Sequence, residues 1–164
     1  MQSSSDSTAA LWKKIEHVRV GMLTTVDADG TLSSRPMTSQ KVDEAGLLWF
    51  FVSDQANVAK NIQHSPHVNV AFAAPEDSLY VSVSGAAEII KDPATIKSMW
   101  NPFVQAWFPD GPDDPHVALI KVRIGAAEYW DSDKSKMTQL MEMAKAAVTG
   151  HPPTAIGEHR KVEL

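Results

Sequence analysis

The chain has 164 residues, 43% apolar and 21% charged, a length and balance that suit one ordinary globular domain and exclude a disordered or low-complexity protein. Its net charge is −5, with no cluster of Lys and Arg, which argues against nucleic acid as a partner. It has no Cys, which removes disulfides, thiolate metal sites and a cysteine nucleophile together.

In chain order, residues 1–5 read as loose. Asp6 or Ser7 is placed to cap a helix whose apolar positions Leu11, Trp12, Ile15 and Val18 recur at helical spacing. The N-terminus lacks the basic and apolar regions of a secretion signal, and no apolar run reaches the length of a membrane span. A cytoplasmic protein without a membrane partner is the expectation.

Val20 to Val26 alternates and is β-branched, so it predicts a strand, with Asp27-Ala28-Asp29-Gly30 as the turn after it. Thr31 to Gln40 returns as a second strand. Asp43 to Gly46 turns into a third, Leu47 to Val52, followed through Ser53-Asp54 by a short helix from near Gln55. Ser65-Pro66 stops that helix, and His67 to Ala74 is a fourth strand. Ser78 to Lys91 is a long fifth strand with Gly85 inside it, where a bulge or bend is favoured.

Asp92-Pro93 starts a helix running to about Trp100. The following stretch carries Pro102, Pro109, Pro112 and Pro115 and cannot be regular throughout. His116 to Asp131 is the last strand, Ser135 to Val148 a helix, and 149–164 an extended tail that orders only by docking. Six strands joined mainly by short turns, without βαβ alternation, predict a mainly β fold: a six-stranded antiparallel barrel with flanking helices.

Gly30 to His64 holds the feature most suggestive of a site. There a strand bearing Arg35 lies beside a strand that ends on a helix N-terminus. First-turn N–H groups have no partner within the helix and carry partial positive charge, so with a guanidinium nearby they suit a phosphate. The alternative is that Arg35 is simply a solvated strand residue.

Several stretches resemble the general stress protein 26 family, within the pyridoxamine 5′-phosphate oxidase-like superfamily of flavin-binding split barrels. They are Ser34-Arg35-Pro36-Met37, Leu48-Trp49-Phe50-Phe51, Tyr80 to Gly85, Trp107 to Pro115, Ala127 to Asp131 and Gly157-Glu158-His159. The likeness runs from about Leu11 to the C-terminus. It implies a split barrel, a homodimer, and FMN (or FAD, which the likeness does not exclude) in clefts at the dimer interface.

By this resemblance Arg35 meets the FMN phosphate, while Pro36, Met37 and Thr38 follow the flavin edge. Phe51, Val52 and Ser53 adjoin it on the next strand, and Trp107 and Trp130, from the partner subunit or its neighbourhood, wall the cleft. The chain departs from the family where Thr, Ser and Lys usually stand, at Val52, Ala56 and Val58. Asn57 remains, and Lys60 comes two residues late, which turns it about 200° around the helix. Each missing charge-assisted contact is worth about 1.5–3 kcal/mol, which predicts weaker FMN binding than the family norm.

The other candidates are weaker. His64 and His67 are separated by the Ser-Pro stop and lack helical metal spacing, and Asp110, Asp113 and Asp114 do not match a calcium loop. Trp12 and Trp100 read as core, and Trp49 can face either way. No Ser-His-Asp set, phosphate loop or carboxylate pair stands out, so any catalysis would rest on the flavin.

Three functions follow: an FMN-dependent oxidoreductase of the stress response, a non-catalytic flavin-binding or flavin-sequestering dimer, and a dimer that has lost its cofactor. Oxidation of pyridoxamine phosphate is not expected. The relatives that catalyse it carry a basic C-terminal segment, whereas 149–164 holds only Arg160 and Lys161 as cations.

Overall fold

The run Leu47–Ser53 is apolar at successive positions because both of its faces are covered. One face looks into a barrel and the other lies under two short helices. The computed structural model describes residues 4–43, 46–131, 136–151 and 158–163. In order these form α1 (Ser4–Ile15), β1 (Val20–Val26), β2 (Leu32–Asp43), β3 (Leu47–Ser53), α2 (Asn57–His64), β4 (His67–Ala74) and β5 (Leu79–Ile90). They continue with α3 (Pro93–Met99), α4 (Pro102–Trp107), β6 (Val117–Asp131), α5 (Lys136–Thr149) and β7 (Glu158–Glu163).

The strands pair antiparallel in the order β3-β2-β1-β4-β5-β6, and a β3–β6 pairing closes the ring into a six-stranded barrel. β6 is long enough to serve two partners along one edge. Val117–Arg123 pairs with β3, and Ala126–Asp131 pairs with β7. The change of partner coincides with a bulge. Ser84 lies opposite Ala126 and Gly85 opposite Ile124, which leaves Gly125 as the extra residue. A Cβ on Gly85 would stand 2.1 Å from the carbonyl oxygen of Arg123, so the bulge can close only over glycine.

Alternation fills the barrel. On β4, Val68, Val70, Phe72 and Ala74 point in and the residues between them are more exposed. Leu23, Leu48, Phe50, Val83, Ile120 and Val122 join them in one core, into which α1 inserts Leu11 and Ile15 and α2 inserts Val58, Ala59 and Ile62. A second, smaller core lies outside the barrel wall. There Trp49, Phe51, Val117 and Leu119 pack against Ile96 of α3 and Val104 of α4.

The strand positions follow the sequence pattern closely, with three differences. α1 begins at Ser4, so Asp6 and Ser7 lie inside it and Val18 beyond its end. The Pro-rich stretch contains a helix, α4, because Pro102 fits its first position and the Asn101 side chain accepts from the N–H groups of Phe103 (3.0 Å) and Val104 (3.1 Å). The tail docks as β7, a seventh strand outside the barrel. Glu44, Ala45 and Ser135 lie outside the described residues.

Candidate functional site

A cleft of about 550 Å³ opens where the outer faces of β2 and β3 meet α4 and the start of α2. That volume suits a small-molecule ligand. Pro36, Met37 and Thr38 of β2 line one side and Phe51, Val52 and Ser53 of β3 continue it. Phe103 and Trp107 stand one helical turn apart on α4 and form an aromatic wall. Trp107 is 83% exposed and Phe103 69%, so the fold itself leaves both rings largely uncovered.

The two ends of the cleft differ in chemistry. At the β1 end, Arg19 lies with its guanidinium over the Phe103 ring, 5.3 Å from the centroid, beside Thr38 and Gln40. Among the described lining residues it is the only cation. Its carbonyl accepts from the Ser39 N–H (2.8 Å), which ties the start of β1 to β2.

At the α2 end the lining is Val52, Ser53, Ala56 and Val58, and the Ser53 hydroxyl accepts from the Gln55 N–H (3.2 Å). Ala56 is the N-cap and offers no side-chain acceptor to the helix. The N–H groups of Asn57 and Val58 have no carbonyl within their own helix to bond. Ser39 pairs with Phe50, so Ser53 lies three residues further along, about 10 Å from the Arg19 end.

Arg35 is not among the residues lining this cleft. It is drawn inward, and Nη1 donates to Thr25 Oγ1 (2.7 Å) and to the Leu23 carbonyl (3.3 Å), while Nη2 donates to Ser33 Oγ (2.7 Å). Thr25 is fully buried, and its hydroxyl also accepts from Asn61 Nδ2 of α2. Burial lowers the Arg35 pKa from its ordinary value and the charge of Asp27 opposes that shift. The guanidinium therefore sits in a polar cluster that joins β1, β2 and α2.

The turn between β3 and α2 is anchored by Asp54. Its carboxylate takes the Lys91 ammonium and lies 3.0 Å from His116 Nδ1 and 3.1 Å from Gln55 Nε2, while its N–H donates to the His116 carbonyl (2.9 Å). The bond from Lys91 is the largest cause holding the Asp54 pKa well below the usual carboxylate range, with Gln55 and His116 adding to it.

The remaining predicted residues fall elsewhere. Asn57 and Lys60 are exposed on α2 and do not line the cleft, whereas Val58 between them is buried against it. Trp130 stacks on His159 of β7, ring centroids 5.0 Å apart, and is not among the residues lining the cleft within one chain. His64 and His67 are exposed, and no cluster of His, Asp or Glu suited to a metal occurs among the described residues.

The sequence reading missed Arg19, Gln40, Phe103 and Phe108. The signal for Phe103 was present in Asn101-Pro102, a helix start that places residues 103 and 107 on one face. Arg19 carried no signal, since it lies between a helix and a strand.

The family model described as "Pyridoxamine 5'-phosphate oxidase like" matches residues 6–154. The chain belongs to this family. Among solved structures it is similar to a protein of Jannaschia sp. CCS1 described as a general stress protein 26, at 28% identity and TM-score 0.76 over 98% of this chain and 99% of that one. A general stress FMN/FAD binding protein of Xanthomonas citri is 32% identical, with TM-score 0.68 over 79% of this chain and 92% of that one. Protein bli-3 of Neurospora crassa is 29% identical over 170 residues, covering 93% of this chain and 81% of bli-3.

As a member of the pyridoxamine 5′-phosphate oxidase-like family, the chain can be tested residue by residue for a flavin. The ring side fits. Two strand edges supply backbone groups and an aromatic wall supplies a stacking face for a planar ligand. The phosphate side does not fit, because Val52, Ala56 and Val58 bring no charge to the α2 end and its one hydroxyl, that of Ser53, already accepts from the Gln55 N–H (3.2 Å).

Proposed function

We propose that this chain is a flavin-binding protein of the general stress protein 26 kind, a single domain over 1–164 that works as a cytoplasmic homodimer. The supporting observation is the meeting of Pro36–Thr38, Phe51–Ser53 and the exposed Phe103 and Trp107 at one cleft, in a member of a family with an FMN/FAD-binding relative. Pro36, Met37 and Thr38 would meet the ring edge mainly through backbone groups, with Phe51, Val52 and Ser53 behind them and Trp107 across its face. Arg35, Asn57, Lys60 and Trp130 stay outside the proposed set because none lines the cleft. Val20 and Met22 leave apolar side chains exposed on β1, opposite Thr38 and Pro36 of the cleft, a surface suited to a second copy of the chain.

A bound flavin would supply two-electron chemistry, and the protein would orient it and shield it from water. The cleft adds no obvious proton carrier, since its described lining contains no His, Asp or Glu. That favours binding without turnover as the second reading over an oxidoreductase with a protein base. Titration of flavin fluorescence and of the visible spectrum tests the binding. A flavin whose emission and absorbance are unchanged at saturating protein would refute it, and light scattering that finds a monomer would refute the dimer. Single-turnover reduction by a nicotinamide donor separates the two readings.

A further inference from the structure

We infer that the cleft recognises its ligand by the planar ring and is indifferent to the phosphate, so that riboflavin is held as well as FMN. This rests on the flavin reading above and goes beyond it by stating what the site selects.

The two ends of the cleft carry the argument. Where a 5′-phosphate would meet the start of α2, the side chains presented are Val52, Ala56 and Val58, with Ser53, whose hydroxyl is taken up by the Gln55 N–H (3.2 Å). The N-cap has no polar side chain, and Lys60 is exposed on another side of the helix. Arg35, the nearest guanidinium on β2, is engaged with Thr25, Ser33 and the Leu23 carbonyl, and Asp27 offsets its charge.

What remains for an anion is the Ser53 hydroxyl and a pair of backbone N–H groups on an eight-residue helix, all uncharged, and water can satisfy a phosphate as well as they can. Meanwhile every feature that grips a ring is present: the two strand edges, Phe103, Trp107 and the Arg19–Phe103 stack. Arg19 lies about 10 Å along the strands from the α2 end, so it would meet the ring portion. A site built in this way gains nothing from the phosphate and loses nothing without it.

The test is a pair of titrations on the full chain, with riboflavin and with FMN, at low and high salt, followed by flavin fluorescence. The two dissociation constants should agree within about threefold and respond equally to salt. Ala56→Ser alone, and with Val58→Lys, should tighten FMN relative to riboflavin by about 10-fold or more per restored contact. Arg19→Ala should weaken both ligands alike.

A wild-type preference for FMN of about 10-fold or more would overturn the inference and leave the flavin reading standing. So would an Arg19→Ala variant that lost affinity for FMN alone, because the guanidinium would then be the phosphate partner. If neither flavin binds the wild type, the flavin reading fails and this inference fails with it. Ala56→Ser adds a favoured N-cap and does not disturb the core, so the comparison survives if the lysine variant fails to fold.

Discussion

Replacing Trp107 by Ala removes an indole that the fold scarcely uses and that a ligand would cover. The side chain is 83% exposed at the end of α4, and the anchor of that helix is Val104, which is buried in the outer core. A large aromatic ring has about 150–250 Å² to bury, and a planar ligand on one face would cover roughly 100 Å² of it. At about 25 cal/mol per Å² that contact is worth about 2.5 kcal/mol. The expected result is a loss of about 70-fold in flavin affinity. Urea unfolding without ligand should shift by no more than about 0.5 kcal/mol, as for other surface truncations. Flavin fluorescence titration and urea melts on the same preparations measure both quantities. A change in affinity below about threefold would refute the placement of the ring against α4. A stability loss above about 1.5 kcal/mol would show that the indole serves the fold instead.

Gly85→Ala should cost about 2–4 kcal/mol in urea unfolding, because its Cβ would meet the Arg123 carbonyl oxygen at 2.1 Å and neither strand can retreat without breaking the ladder. A variant as stable as wild type would mean that the bulge has room. Arg35→Met should lower stability by about 1–3 kcal/mol with no flavin present, through the bonds to Thr25, Ser33 and the Leu23 carbonyl. An unchanged melt would show the guanidinium to be free for a ligand. The depressed pKa of Asp54 means that folding favours the ionised carboxylate. Its contribution is therefore complete above the unfolded value of 3.8 and declines as pH falls toward the folded one. Wild type should then lose stability more steeply than Asp54→Asn as the pH is lowered below about 4, and parallel stability curves would contradict the Lys91–Asp54–His116 anchor.

Period-two alternation made β1 and β4 readable in the sequence with their limits, since each has one face in the core and one outside. The Asp92-Pro93 helix start was equally local, and there the Asp92 side chain accepts from the Thr95 N–H. Pro36–Thr38, Phe51–Ser53 and Trp107 were named by the family resemblance, not by local pattern, and they meet at the cleft. What failed was anything decided by a neighbour distant in the chain. Leu47–Ser53 reads as a strand, but only α3 and α4 explain why Trp49 and Phe51 are buried on the outside of the barrel.

β7 carries almost no pattern and exists because the second half of β6 has an open edge to pair with. The direction of Arg35 is likewise a matter of register. Leu23 lies opposite it on β1, which puts the guanidinium beside Thr25 and Ser33. Local periodicity thus determined the strands of this protein, while the residues on the strand side of its cleft were named by the family resemblance. Only tertiary structure decided which cation faces the cleft and which is spent within the fold, because side-chain direction in a barrel depends on pairings far apart in the chain.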